Sequence, residues 1–299
     1  MSFSNIFANI ALALGLCRIR NADTGESFAI TVPDGFKMYS YNSNWLDSIP
    51  YLVEHARYGE PWAYEALAEC HRHGKGGVKR SLINALFFYD LAGKNVEDCM
   101  AEIAQANPDD PIAVFSRLIG YLENKDFDRV VCAIDTLNEA DYHSADVLLE
   151  SIHNSKHVEL EDILEFATDS ETDPDAAVFA CAGYTLCNKS DTVKTDMSWA
   201  MPLIMDKIPY IYSLAGARLY SKTIKSDTSD GYATDATNKD IEDRRKAVEY
   251  FLKADEYAML TKRAAQLLYD YLTHDPTSKW VNFFEKDMYR LKILADIDE

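Results

Sequence analysis

From Trp45 onward, apolar residues return at helical spacing in one short segment after another. Trp62, Ala66 and Cys70 recur every fourth residue, with Ala63 and Leu67 beside them. Leu82, Ala85, Leu86, Tyr89 and Ala92 form the next stripe. Ile112, Phe115, Ile119 and Leu122 line one face, and Phe127, Val130, Ile134 and Leu137 line another. Residues spaced in this way share one side of an α-helix, so each stripe marks a buried face. Only "ENKD" separates the last two stripes, which forces an antiparallel helix pair. Shorter stripes follow at 145–152, 160–167, 177–184, 247–258, 264–272 and 280–295. None is apolar all round, so each helix is expected to bury one or two stripes against its neighbours. The expected fold class is all-α, an α-α superhelix or solenoid of consecutive helix pairs.

Composition agrees. The 299 residues include only 12 Gly and 9 Pro, thin punctuation for a sheet protein with many tight turns. The net charge is −19, from 49 acidic and 30 basic residues. A phosphate backbone would be repelled over most of such a surface, so a nucleic-acid partner is not expected. An anionic membrane is disfavoured for the same reason, and a partner with a basic segment is favoured. The six cysteines, at 17, 70, 99, 132, 181 and 187, form no CxxC pair and read as buried, reduced thiols in helices.

Residues 1–45 read as a separate N-terminal segment, and 46–299 as the helical domain. The run Ile6–Cys17 is apolar, but no basic residue precedes it and Arg18 and Arg20 follow it, the reverse of a secretory signal. It is also short for a bilayer span. A docked helix in a cytoplasmic protein is the first expectation, and an exported chain with residues 1–17 as a leader is the alternative. Cys17–Arg20 and Ser27–Val32, around "NADTGE", suggest a β-hairpin.

The stretch "HGKGGVKRS", His73 to Ser81, resembles a phosphate-binding loop at first sight. Such a loop leaves a buried strand, whereas "PWAYEALAECHR" before it has a helical period with Pro61 at its first turn. Its lysine must also be followed directly by Ser or Thr, and here Arg80 separates Lys79 from Ser81. The glycines instead turn a corner between two helices. Gly74 can take the left-handed conformation that closes one helix, and Ser81 can cap the next.

Residues 63–93 resemble a Sel1-like repeat, a relative of the tetratricopeptide helix pair. The resemblance rests on Ala63, Leu67, Ala68, Gly74, Gly76, Val78, Asn84, Ala85, Phe88, Tyr89, Ala92 and Gly93. Gly77 is an insertion, His71 stands where the pattern has tyrosine, and Ser81 where it has aspartate. A second, interrupted copy at about 210–256 carries Ala217 and Tyr220, then Lys246, Ala247, Tyr250, Phe251 and Ala254. The resemblance covers a quarter to a third of the chain. It implies an adaptor or scaffold role in signalling and complex assembly, often in bacteria.

Other constellations carry less. Cys70, His71 and His73, with His55 upstream, invite a zinc reading, but Cys70 and His71 point different ways on a helix and no second ligand pair follows. The stretch 221–243 carries Asp227, Asp230, Asp235, Asp240 and Asp243 and reads as a solvated insertion, without the ligand order of a calcium loop. No nucleophile elbow, HExxH helix or dinucleotide fingerprint is present. The 18 Tyr and 13 Phe are mostly seam residues by spacing, and sequence does not divide buried rings from exposed ones. The expectation is a non-enzymatic interaction module with no cofactor or metal, binding a protein or peptide on a curved acidic surface. The alternatives are an enzyme or effector whose site lies in the N-terminal segment or the 221–243 loop, and a structural subunit of a larger assembly.

Overall fold

A computed structural model of the chain describes residues 45–124, 126–154, 175–187, 201–226, 238–275, 278–279, 281 and 285–297. The run Ile6–Cys17, the expected hairpin, the stripe at 160–167 and the middle of the aspartate-rich loop at 227–237 lie outside the described residues. The described residues form α-helices and short 3-10 turns, with no strand among them. The first six helices are α1 (Trp45–Arg57), α2 (Pro61–His73), α3 (Leu82–Leu91), α4 (Val96–Ala106), α5 (Pro111–Glu123) and α6 (Phe127–Glu139). A 3-10 turn at His143–Ala145 leads into α7 (Asp146–Asn154). Then come α8 (Ala176–Cys187), α9 (Met201–Lys207), α10 (Tyr210–Ser226), α11 (Asn238–Glu256), α12 (Lys262–His274) and α13 (Glu285–Leu294). Sequence neighbours pack as pairs: α2 with α3, α5 with α6, α7 with α8, α10 with α11.

The turn between α2 and α3 is built as its residues dictate. Gly74 sits at φ 64°, ψ 39°, and its N–H bonds the Cys70 carbonyl, closing α2. The inserted Gly77 also has positive φ, 78°. The Ser81 hydroxyl accepts from the Asn84 N–H, capping α3. Phe88 stacks on His71 at 5.4 Å between ring centroids, and Tyr89 bonds Glu69. Both rings therefore fill the seam inside the pair.

The expectation that no helix is apolar all round fails at α3. Every residue from Leu82 to Tyr89 is buried. Partners surround it: α2 covers one side, and Phe87 lies flat against Tyr210 of α10, ring centroids 4.1 Å apart. The Asn84 side chain donates to the Lys207 carbonyl at the end of α9, 3.0 Å away.

Two buried carboxylates tie distant parts of the chain. Asp175 precedes α8 and is fully enclosed. It accepts from the Ser81 hydroxyl at 2.5 Å, the Ile83 N–H at 3.2 Å and the Tyr142 hydroxyl at 2.5 Å. Asp255, near the end of α11, is 3% exposed. It accepts two bonds from the Arg290 guanidinium of α13, both 2.6 Å, and one from Arg57 of α1 at 2.7 Å. Arg290 also donates to the Arg57 carbonyl, 2.9 Å away. The first and last described helices thus meet, and Gly59 lies 3.2 Å, measured from an added Cβ, from the Leu294 side chain.

The stretch 221–243 is less open than the sequence suggests, because α10 runs to Ser226 and α11 begins at Asn238. Arg244 braces the two helices, donating to the Thr223 hydroxyl at 3.1 Å and pairing with Asp275 at 3.4 Å. Where α10 crosses α11 the backbones come close. A Cβ on Gly216 would stand 2.6 Å from Cε1 of Phe251 and 3.0 Å from the Ala247 carbonyl oxygen.

This packing sets the outcome of four substitutions. Asp255→Ala leaves the buried Arg290 beside the half-buried Arg57 without their shared carboxylate and is expected to cost about 3–5 kcal/mol by urea unfolding. Lys262→Ala, whose pair with Asp296 is exposed, should leave the urea midpoint in place. Gly216→Ala is expected to cost about 1–3 kcal/mol through overpacking. Gly120→Ala on α5, where an added Cβ meets nothing within 4 Å, should instead stabilise by about 0.5–1 kcal/mol.

Candidate functional site

The residues that invited a metal reading are dispersed. Cys70 is buried, and that burial pushes its thiol up to about 12. His71 is held against Phe88, with its Nδ1 enclosed and without a partner. His73 is exposed and lies 3.3 Å from Glu69 one turn earlier. His55 belongs to another corner, between the rings of Tyr51 and Trp62 at 4.3 and 5.0 Å, with Nδ1 2.9 Å from Glu60. Among the described residues no three His, Cys, Asp or Glu side chains converge as a metal site would require. Asp240 and Asp243 fall on the first turns of α11, and the other three aspartates of that stretch lie outside the described residues.

The aromatic residues that sequence left undivided now separate. Tyr64, Phe88, Phe115, Tyr142, Phe251 and Tyr271 are buried seam residues. Phe127, Tyr257 and Tyr289 are exposed, at 47%, 41% and 61%. Phe127 is a correction: its spacing put it on the buried stripe of α6. It stands at the first position of the helix, at the edge of the covered arc, and opens to solvent. Cys132, read as a buried thiol, is exposed on the same helix.

Helix α6 presents the most organised outward face. Its N-terminus is fixed by Asp126, whose side chain accepts from the Arg129 N–H. Val130, Ala133, Ile134 and Leu137 are buried and anchor one side. At about 100° per residue, Asp128, Asp135 and Glu139 fall within about 40° of one another on the opposite side. All three are exposed, and none has an ion-pair partner among the described residues. Phe127 and Val131, the latter 42% exposed, follow one margin of this acidic stripe. The single cation of the helix, Arg129, leans the other way, onto Asp126 at 3.3 Å and over the Tyr121 ring at 5.7 Å.

Two other faces are less complete. Helix α4 exposes Glu97, Asp98 and Glu102 but no large apolar side chain. Helix α13 exposes Tyr289 and Ile293, flanked by charges of both signs in Glu285 and Lys286. Sequence reasoning had the acidic bias of the chain but not its placement. The heptad-like recurrence of Asp128, Asp135 and Glu139 was the available signal, masked by reading Phe127 into the core.

The environment of His71 yields a pH dependence. Burial drives its imidazole down to about 4, partly offset by a hydrogen bond with the Lys79 backbone. The unfolded ring takes its proton near pH 6.5, so the unfolded state binds more protons between about pH 6.5 and 4. The contribution is complete above that window and is lost as pH falls through it, by about 3 kcal/mol. Urea unfolding of His71→Phe between neutral pH and pH 4 should show a loss smaller than that of the unaltered chain by about this amount. Comparison of the chain with protein-family models, with curated proteins and with solved structures returns no match.

Proposed function

We propose that this chain is a non-enzymatic interaction module, an adaptor or scaffold. In this reading its helix pairs form an α-α superhelix of Sel1-like, tetratricopeptide-like repeats, clearest at 63–93 and again at about 210–256. The superhelix holds a protein or peptide with a basic segment. The observation that carries the reading is the outward face of α6, where three carboxylates without ion-pair partners lie beside exposed apolar side chains. A solvated face needs no apolar margin, and a buried face would not keep carboxylates without cations. The repeat reading is supported by the turn at Gly74, the cap at Ser81 and the small residues Ala63, Ala85, Ala247 and Ala254, all of the alanines fully buried.

No helix among the described residues is long and apolar enough to cross a membrane. The charge of −19 adds long-range attraction for a cationic partner, and salt will screen it. Fluorescence anisotropy with a labelled Lys/Arg-rich peptide tests the proposal. Binding at low salt is expected, weakened at least tenfold at high salt, with no binding of a Glu-rich peptide of equal length. Equal binding of both peptides, or of neither, would overturn it.

A further inference from the structure

We infer that the outer face of α6 is the docking site, and that its occupant is an amphipathic helix with one apolar stripe bordered by lysine or arginine. The inference rests on the interaction-module reading above and adds the place and the form of the partner. Three faces of the molecule compete for the role. Helix α13 has the more exposed apolar pair, Tyr289 and Ile293, but its flanking charges of both signs select no partner. Helix α4 has the acid but no large apolar side chain to bury. Helix α6 alone among them combines the two in parallel lines.

The geometry of those lines specifies the partner. Phe127 and Val131 are four residues apart, one turn, so they form a short ridge along the helix axis. Asp128 lies beside that ridge, and Asp135 and Glu139 continue the acidic line past its end, over about three turns in all. A strand lays a single line of side chains on a surface and turns the next ones away, so it meets only one of the two lines. A helix laid alongside α6 meets both at once, its apolar stripe on Phe127 and Val131 and its cations over the carboxylates. Arg129 does not obstruct this approach, because Asp126 and the Tyr121 ring hold it on the far margin. Asp141 and Asp146, both exposed just beyond the end of α6, extend the attraction for a longer basic segment.

The test uses the full chain and three peptides of equal length, read by fluorescence anisotropy. One carries Leu on a single helical stripe flanked by Lys. The second has the same composition scrambled so that no stripe forms, and the third replaces Lys by Glu. Two α6 variants are compared, Phe127→Ser with Val131→Ser, and Asp128→Asn with Asp135→Asn and Glu139→Gln. The control neutralises α4 through Glu97→Gln, Asp98→Asn and Glu102→Gln. All altered positions are exposed, and circular dichroism confirms that each variant retains its helices. The striped Lys peptide is expected to bind at least tenfold more tightly than either other peptide. Each α6 variant should lose at least tenfold, and the α4 variant should bind as the unaltered chain does. Striped-peptide binding that survives both α6 variants would overturn the docking site while leaving the interaction-module reading intact. Binding of the scrambled peptide as tightly as the striped one would overturn the helical occupant. Failure of every Lys peptide to bind the unaltered chain would overturn both readings together.

Discussion

The carboxylate of Asp175 is the point on which the arrangement of α3 depends. A buried carboxylate is tolerated only when its oxygens are met by donors, and here Ser81, Ile83 and Tyr142 bring donors from two separate parts of the chain. Ser81 and Ile83 belong to the start of α3, and Tyr142 follows the end of α6. Asp175 also begins α8, its own carbonyl accepting from Val178 and Phe179. The negative charge therefore sits at the N-termini of two helices, where the peptide dipoles favour it. With its start held there, α3 can be wrapped on every side. The Arg80 guanidinium, next to the cap, stacks over the Tyr142 ring at 5.3 Å and bonds the Ala140 carbonyl at 3.0 Å.

This pinning has a bearing on recognition. Helix α6 ends against the segment that Tyr142 anchors, and its inner side is fixed by Val130, Ile134 and Leu137, all fully buried. Its outer side chains are thus carried on a rigid support, which lowers the ordering cost of any contact they make. The acidic stripe is a surface property resting on a buried inner side.

What sequence could reveal was the local part of the structure. The corner from His73 to Ser81 was legible because each of its requirements is met within a few residues: a glycine to close one helix, a hydroxyl to start the next. The stripe Ile112, Phe115, Ile119 and Leu122 was legible because period alone fixes one buried face, and all four residues are buried. The enclosure of α3 was not legible. The stripe of Leu82, Ala85, Leu86, Tyr89 and Ala92 leaves Phe87 out, and only the fold brings Tyr210 against it across more than a hundred positions of sequence. Asp175 and Asp255 looked like two acids among many. Their partners lie from 33 to 198 residues away, and no local pattern encodes such a pairing. Phe127 was misplaced because period gives the direction of a side chain but not where the covering neighbour stops.

The meeting of Arg57, Asp255 and Arg290 sets an order of events in synthesis. The Arg57 guanidinium of α1 meets Asp255, 198 positions later, and its carbonyl meets Arg290, 233 positions later. At about 5–20 residues per second, a ribosome needs on the order of 10–50 s to deliver that residue after Arg57 has emerged. During that interval the pair of α1 and α2 can form its own seam, while the Arg57 guanidinium waits for Asp255 and its carbonyl for Arg290. Among the described helices, the one made last is thus the one that closes on the one made first.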